Sequence, residues 1–92
     1  MAVTVVHNPA AQRFGATVDG RLSVADYRLR RDVITFTHTG VPLEQRGRGI
    51  AAALVGAALA WARGQRLRVV PACSYVARFM QRHPETQDLL NG

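Results

Sequence analysis

The sequence predicts an α+β domain: an antiparallel meander of about four strands, then a central helix, a further short strand and a C-terminal helix. Three observations carry that reading. Before Gly40, short segments rich in β-branched and aromatic residues are separated by the turn signals Asn8-Pro9 and Asp19-Gly20. After Gly40 the apolar spacing changes to a period near ~3.6 residues. The chain has 92 residues, the size of one domain, and no composition break marks a linker, so residues 1–92 are read as a single unit.

Taken in order, Thr4 to His7 is the first candidate strand and Gln12 to Val18 the second. Asp19-Gly20 is a two-residue hairpin signal. In Arg21 to Arg30, Leu22, Val24 and Asp26 alternate with Ser23, Ala25 and Tyr27, so the two faces are only partly distinguished. Its partner is Val33 to Thr39, where Val33, Thr35, Thr37 and Thr39 oppose Ile34, Phe36 and His38. From about Gly49 to Arg63, a helical stripe of Ile50, Leu54, Ala57, Ala58 and Trp61 follows, with Gly64 placed as its left-handed terminator. That helix is Ala-rich and almost uncharged, so it must bury itself against the sheet. Leu67 to Val70 is a short apolar strand closed by Pro71. Ser74 to Arg82 reads as a second helix with Tyr75, Val76, Phe79 and Met80 turned inward, ended by Pro84; Glu85 to Leu90 adds one more turn.

Composition excludes several chemistries. A hydrophobic share of 48% with 20% charged residues is that of a folded domain. The net charge is +6, and all 12 basic residues are arginine. Without lysine there is no Schiff-base or Walker-lysine mechanism. Arginine matches phosphate and carboxylate bidentately, which favours an acidic ligand, although a GC-rich genome would also replace lysine with arginine. A single cysteine makes no internal disulfide, the N-terminus lacks a signal-peptide layout, and the apolar run Ile50 to Ala62 is shorter than the ~20 residues that span a bilayer. A cytoplasmic protein that does not bind membranes is expected. No His/Cys cluster has zinc spacing, so no metal is expected.

The segment Gln45-Arg46-Gly47-Arg48-Gly49-Ile50-Ala51 joins strand to helix through two glycines. Glycine lets the backbone approach a ligand closely, and the first-turn amides of a helix have no intrahelical acceptor and carry roughly +0.5 charge. Together they form an anion site for phosphate or pyrophosphate, with Arg46 and Arg48 at its rim; a Gly-rich turn with solvated arginines has the same spacing. Gly47-x-Gly49-x-x-Ala52 also fits a dinucleotide fingerprint. However, seven residues separate it from Thr39, and the next acidic residue after Glu44 is Glu85, so a dinucleotide-binding fold is rejected.

These residues also carry a resemblance. Arg46-x-x-Gly49-x-Ala51 resembles the acetyl-CoA motif Q/R-x-x-G-x-G/A of the GNAT (GCN5-related N-acetyltransferase) superfamily. His38-Thr39-x-Val41-Pro42, the cradle, Val69-x-Pro71-x-Cys73-Ser74-Tyr75-Val76 and His83-Pro84 extend the likeness over nearly the whole chain, to the minimal single-domain GNAT-like proteins. The resemblance implies a minimal GNAT fold without the early helices that shape an acceptor pocket. It implies acetyl-CoA or coenzyme A as cofactor: the pyrophosphate on the amides of Arg46, Gly47, Arg48, Gly49, Ile50 and Ala51, and the pantetheine beside Thr39, Gly40, Val41 and Pro42. The strands Val33 to Thr39 and Leu67 to Val70 would splay apart to admit the thioester.

Cys73 lies between a strand and a helix start, where dipole and free amides favour a thiolate, and the minimal branch has a cysteine at the matching position. It is the candidate acyl acceptor, and a buried cysteine that only packs is the alternative. His38, at the end of the strand entering the cradle, is the candidate general base, with a structural histidine as the alternative. Glu44 is a further candidate base, with solvated loop charge as the alternative. His83 either contacts the coenzyme's 3′-phosphate or caps the helix. The expected function is acetyl transfer from acetyl-CoA to an unidentified amine, directly or through Cys73; a non-catalytic CoA-binding module is the second reading. A specific nucleic-acid site is not expected, since the arginines are scattered and no aromatic-interleaved motif accompanies them. A monomer or weak dimer fits the thin core.

Overall fold

The computed structural model describes residues 3–91. Five strands, β1 (Val6–Asn8), β2 (Arg13–Val18), β3 (Arg21–Arg30), β4 (Val33–Gly40) and β5 (Arg68–Pro71), form one sheet in sequence order. The first four are an antiparallel meander, and β5 joins β4 in parallel. A parallel partner needs a crossover, and helix α1 (Ile50–Gly64) supplies it. Helix α2 (Ser74–Arg82) follows β5, and the chain closes through a 3₁₀ segment, Pro84–Leu89. The expected α+β class, the four-stranded meander, the further strand after the helix and the element order hold; the first strand is Val6–Asn8 rather than Thr4 to His7.

Asp19 and Gly20 both have positive φ, as a type I′ hairpin turn requires. Phe14, Ala16 and Val18 on β2, Ser23, Ala25 and Tyr27 on β3, and Ile34 and Phe36 on β4 are buried, so one face of the meander is the core face. Residues of α1 and α2 complete a single cluster on that face: Ile50, Leu54, Val55, Ala58, Leu59, Ala62, Val76 and Met80. The stripe of α1 is thus wider than Ala57 and Trp61 suggested, as both are only half-buried. Tyr75, expected inward, is 36% exposed: in the first turn of α2 the buried position falls to Val76, and Tyr75 faces a cavity instead. The opposite face of the sheet carries Arg13, Leu22, Asp26, Arg28, Arg30 and His38.

The end of α1 departs from expectation. Gly64 is helical, and the left-handed residue is Arg66, at φ 58°. The amide of Leu67 donates to Ala62 O at 2.9 Å and that of Arg66 to Arg63 O at 3.0 Å. This is a Schellman closure with Arg66 at the position glycine usually takes, and it delivers Leu67 into the core. Beyond β5, Leu90 bridges Val69 and the Asn91 amide donates to Val69 O at 2.9 Å, which covers part of a sheet edge that would otherwise be open.

His7 is bound into the aromatic end of the core. Its ring stacks on Phe14 with centroids 4.1 Å apart, meets Trp61 edge-on at 4.5 Å, and its Nε2 lies 2.6 Å from the Tyr27 hydroxyl. Desolvation holds the His7 pKa below its ordinary 6.5. A histidine lowered in the folded state binds fewer protons there than in the unfolded chain, so its contribution to stability is complete above pH 6.5 and is lost as pH falls below that value. Denaturant midpoints measured at pH 7.5 and pH 5.5 should fall on acidification, and His7→Gln should flatten that slope.

Candidate functional site

The site begins with one extra residue in β4. Asp26 pairs with His38 and Tyr27 with Phe36, so Thr37 is a bulge, and its hydroxyl reaches Asp26 O at 3.4 Å. Without the bulge, His38 would follow Phe36 onto the core face. With it, Thr39 pairs with the buried Ala25 and takes that face, while His38 pairs with Asp26 on the other. The His38 ring lies back along its own strand, with Nε2 2.9 Å from where a Cβ on Gly40 would stand. Gly40 is therefore the residue that leaves room for it.

The bulge coincides with the parting of two strands. β4 and β5 pair only from Val33↔Arg68 to Phe36↔Pro71, and the Cys73 amide adds a last link to Phe36 O at 2.9 Å. Beyond Phe36, β4 pairs with β3 alone while the chain after β5 turns into α2. The expected splay is present, and Cys73 stands at its apex as the N-cap of α2.

The chain next runs from Gly40 through Val41 and Pro42 into a 3₁₀ turn, Leu43–Gln45, and then the cradle. The buried Gln45 ties this turn to the β2–β3 hairpin, its Nε2 donating to Val18 O at 2.6 Å. Gly47 and Gly49 have φ of 81° and 82°, a region that disfavours any side chain. Gly49 is the N-cap of α1 and offers no side-chain acceptor, and no acidic residue stands in the first turn. The first-turn amides are thus left for an outside acceptor. A cavity of about 460 Å³ opens onto them.

Seven of the expected binding residues line this cavity: Thr39, Val41, Arg46, Gly47, Gly49, Ile50 and Ala51. Gln45, Ala52 and Tyr75 line it too and were missed. Ala52 was legible, one residue further along the first turn. Gln45 and Tyr75 were not, because their placement depends on the hairpin and on the start of α2 lying across from the cradle. Gly40 and Pro42 lie behind the wall. Arg48 turns to Asp19 at 3.0 Å, and Arg46 Nε donates to the Val41 carbonyl at 3.3 Å. Glu44 pairs with Arg21 on the adjoining hairpin. His83 is not brought to the cavity: it sits at the far end of α2, stacked on Phe79 at 4.0 Å, with Nδ1 2.8 Å from Phe79 O.

Cys73 does not line the cavity but neighbours a residue that does, its Sγ 3.6 Å from the Thr39 hydroxyl. Burial alone would raise its pKa, but the Val76 amide, the Thr39 hydroxyl and the Tyr75 and Thr39 amides together outweigh burial and hold the thiol below its ordinary range. Tyr75 is shifted the other way, raised by burial against the opposing charge of Arg82, so its phenol remains a proton donor.

A family model for the GCN5-related N-acetyl-transferases matches residues 13–89. The chain belongs to that family. Among relatives, Protein NATD1 of Bos taurus is 30% identical over 90 residues, covering 95% of this chain and 80% of its own. A GCN5-like protein from Staphylococcus aureus, solved by NMR, superposes with a TM-score of 0.76 at 25% identity, over 97% of this chain and 88% of its own. The GNAT fold here is the meander, one crossover helix and one terminal helix. No described helix is long and apolar enough to cross a membrane.

The Thr39 hydroxyl is one of the groups that favour the Cys73 thiolate. Alkylation of Cys73 by iodoacetamide, followed against pH, should give a midpoint below that of a free thiol, and Thr39→Val should move the midpoint upward with the fold intact by circular dichroism.

Proposed function

We propose that this GNAT domain binds acetyl-CoA and transfers its acetyl group to an amine. The observation that carries the reading is the pair of left-handed glycines that turn the uncapped start of α1 toward a cavity walled by the end of β4. The fit can be judged from the backbone. Ideal Cβ atoms at Gly47 and Gly49 would meet nothing within 4 Å, so these glycines serve conformation and the approach of a ligand rather than packing. A pyrophosphate would be held by the amides from Gly47 to Ala51, reinforced by Arg46. Thr39 and Val41 would flank the pantetheine arm. The bound coenzyme supplies an acyl group activated as a thioester.

The chain's own groups then have distinct tasks. Thr39 and the amides at the start of α2 lower the Cys73 pKa and so favour the thiolate that would take up the acetyl group. Tyr75, on the cavity wall and with its pKa raised by burial, would give its proton to a departing thiolate. In the direct route the amine attacks without Cys73. A binding module without turnover is the second reading, favoured by the position of His38 on the face of the sheet away from the cavity.

Saturating acetyl-CoA at ~100 times its dissociation constant should add about 2.7 kcal/mol to stability, and the resulting rise in Tm should shrink with added salt as phosphate contacts are screened. Gly49→Val, which forces a β-branched residue to φ 82°, should abolish that rise. An unchanged rise in the variant would place the coenzyme elsewhere. Intact-protein mass spectrometry after incubation with acetyl-CoA should show one acetyl group, absent in Cys73→Ala. Retained acetyl transfer in Cys73→Ala would assign the direct route, and loss of both adduct and hydrolysis with binding intact would assign the binding module.

A further inference from the structure

Ion pairing divides the charge unevenly. Arg13, Arg21, Arg48 and Arg63 pair with Asp26, Glu44, Asp19 and Asp88. The surplus therefore rests on the other arginines, opposed only by Asp32 and Glu85. Five of those arginines gather at the end of the sheet opposite the cradle, where the β3–β4 turn meets the loop between α1 and β5. Arg30 pairs with Val33 and Val33 with Arg68, so one row across three strands carries two guanidinium groups; Arg28 stands in the next row, opposite Thr35. Arg31 and Arg66 occupy the two turns. Arg30, Arg31 and Arg66 make no ion pair or side-chain hydrogen bond among the described residues. A concavity of about 610 Å³ opens here, lined by Arg28, Arg30 and Arg31 with Asp32, Val33 and Thr35, so three guanidinium groups face it against one carboxylate.

A second observation is independent of charge. Arg31 and Arg66 both hold left-handed backbone, φ 54° and 58°, where glycine or asparagine would sit without strain. Both turns of this pole therefore present a long cationic side chain at a residue whose local preference is for glycine. Guanidinium forks match carboxylate or phosphate. A single-stranded nucleic acid would need aromatic platforms for its bases. The rings of Phe14, Tyr27, Phe36 and Trp61 lie in or against the core, and Tyr75 is at the cradle end.

We infer that this arginine pole is a docking surface for an acidic protein segment, an extended run of Asp and Glu laid across β3 and β4. Successive side chains on one side of an extended strand are spaced like Arg28 and Arg30, two residues apart along β3. The inference does not depend on coenzyme binding.

The test is fluorescence anisotropy of a labelled extended Glu/Asp peptide titrated with the full chain. Saturable binding that weakens at least fivefold in the double variant Arg31→Gly/Arg66→Gly is expected. Relief of left-handed strain should leave the Tm of that variant equal or higher, so lost affinity cannot be assigned to unfolding. Arg78→Gln/Arg82→Gln removes the same charge from α2 and should change affinity less than twofold. Equal losses in the two variants would reduce the effect to net charge and overturn the inference. So would an absence of saturable binding, or a single-stranded oligonucleotide that binds more tightly and with the same dependence on Arg31 and Arg66.

Discussion

The site depends on one inserted residue. A strand paired on both edges has no free backbone to offer, and β4 escapes that condition beyond Phe36, where β5 stops accompanying it and Thr37 breaks its register against β3. The bulge exchanges the faces of the residues that follow. Thr39 comes over the core, within reach of Cys73, and His38 leaves it. The bulge therefore selects which side chain enters the splay and helps set the state of the thiol at its apex. A smooth strand would have offered an imidazole to the core face.

The cradle is positioned by different means. Gln45 fastens the 3₁₀ turn to the β2–β3 hairpin, and the glycines then supply two left-handed steps that bring the start of α1 round to face the gap. Neither glycine is needed for packing, since space is open around both. The expense is conformational: glycine is the residue that loses most freedom when fixed. That cost falls at a junction where the chain gains an exposed row of amides, and Ala-rich α1 recovers stability along its length by burial against the sheet.

Much of this was legible in the sequence. Asp19-Gly20 announced the hairpin, Arg46-Gly47-Arg48-Gly49 the cradle, and the change of apolar period at Gly40 the passage from sheet to helices. The errors share a cause. Strict alternation carried His38 to the same face as Phe36, because a bulge has no signature in side-chain periodicity. Gly64 attracted the helix terminus that belongs to Arg66, since propensity favours glycine for a left-handed residue and the hydrogen bonds chose the arginine. Tyr75 fitted an apolar stripe, yet in the first turn of α2 it is Val76 that enters the core, and Tyr75 faces the cavity. Gln45 stood at the head of the cradle segment, yet its tie to the hairpin was not legible, because it is a contact between residues 27 apart.

Ile50 is the first residue of α1, lines the cavity, and is also sealed within the one hydrophobic cluster shared by the sheet and both helices. One side chain of the cavity wall is therefore also part of the scaffold, and it cannot shift without disturbing the core. An occupied pocket lowers the population of unfolded chains that proteases sample. In a cell, the lifetime of this small domain would follow the supply of whatever fills it.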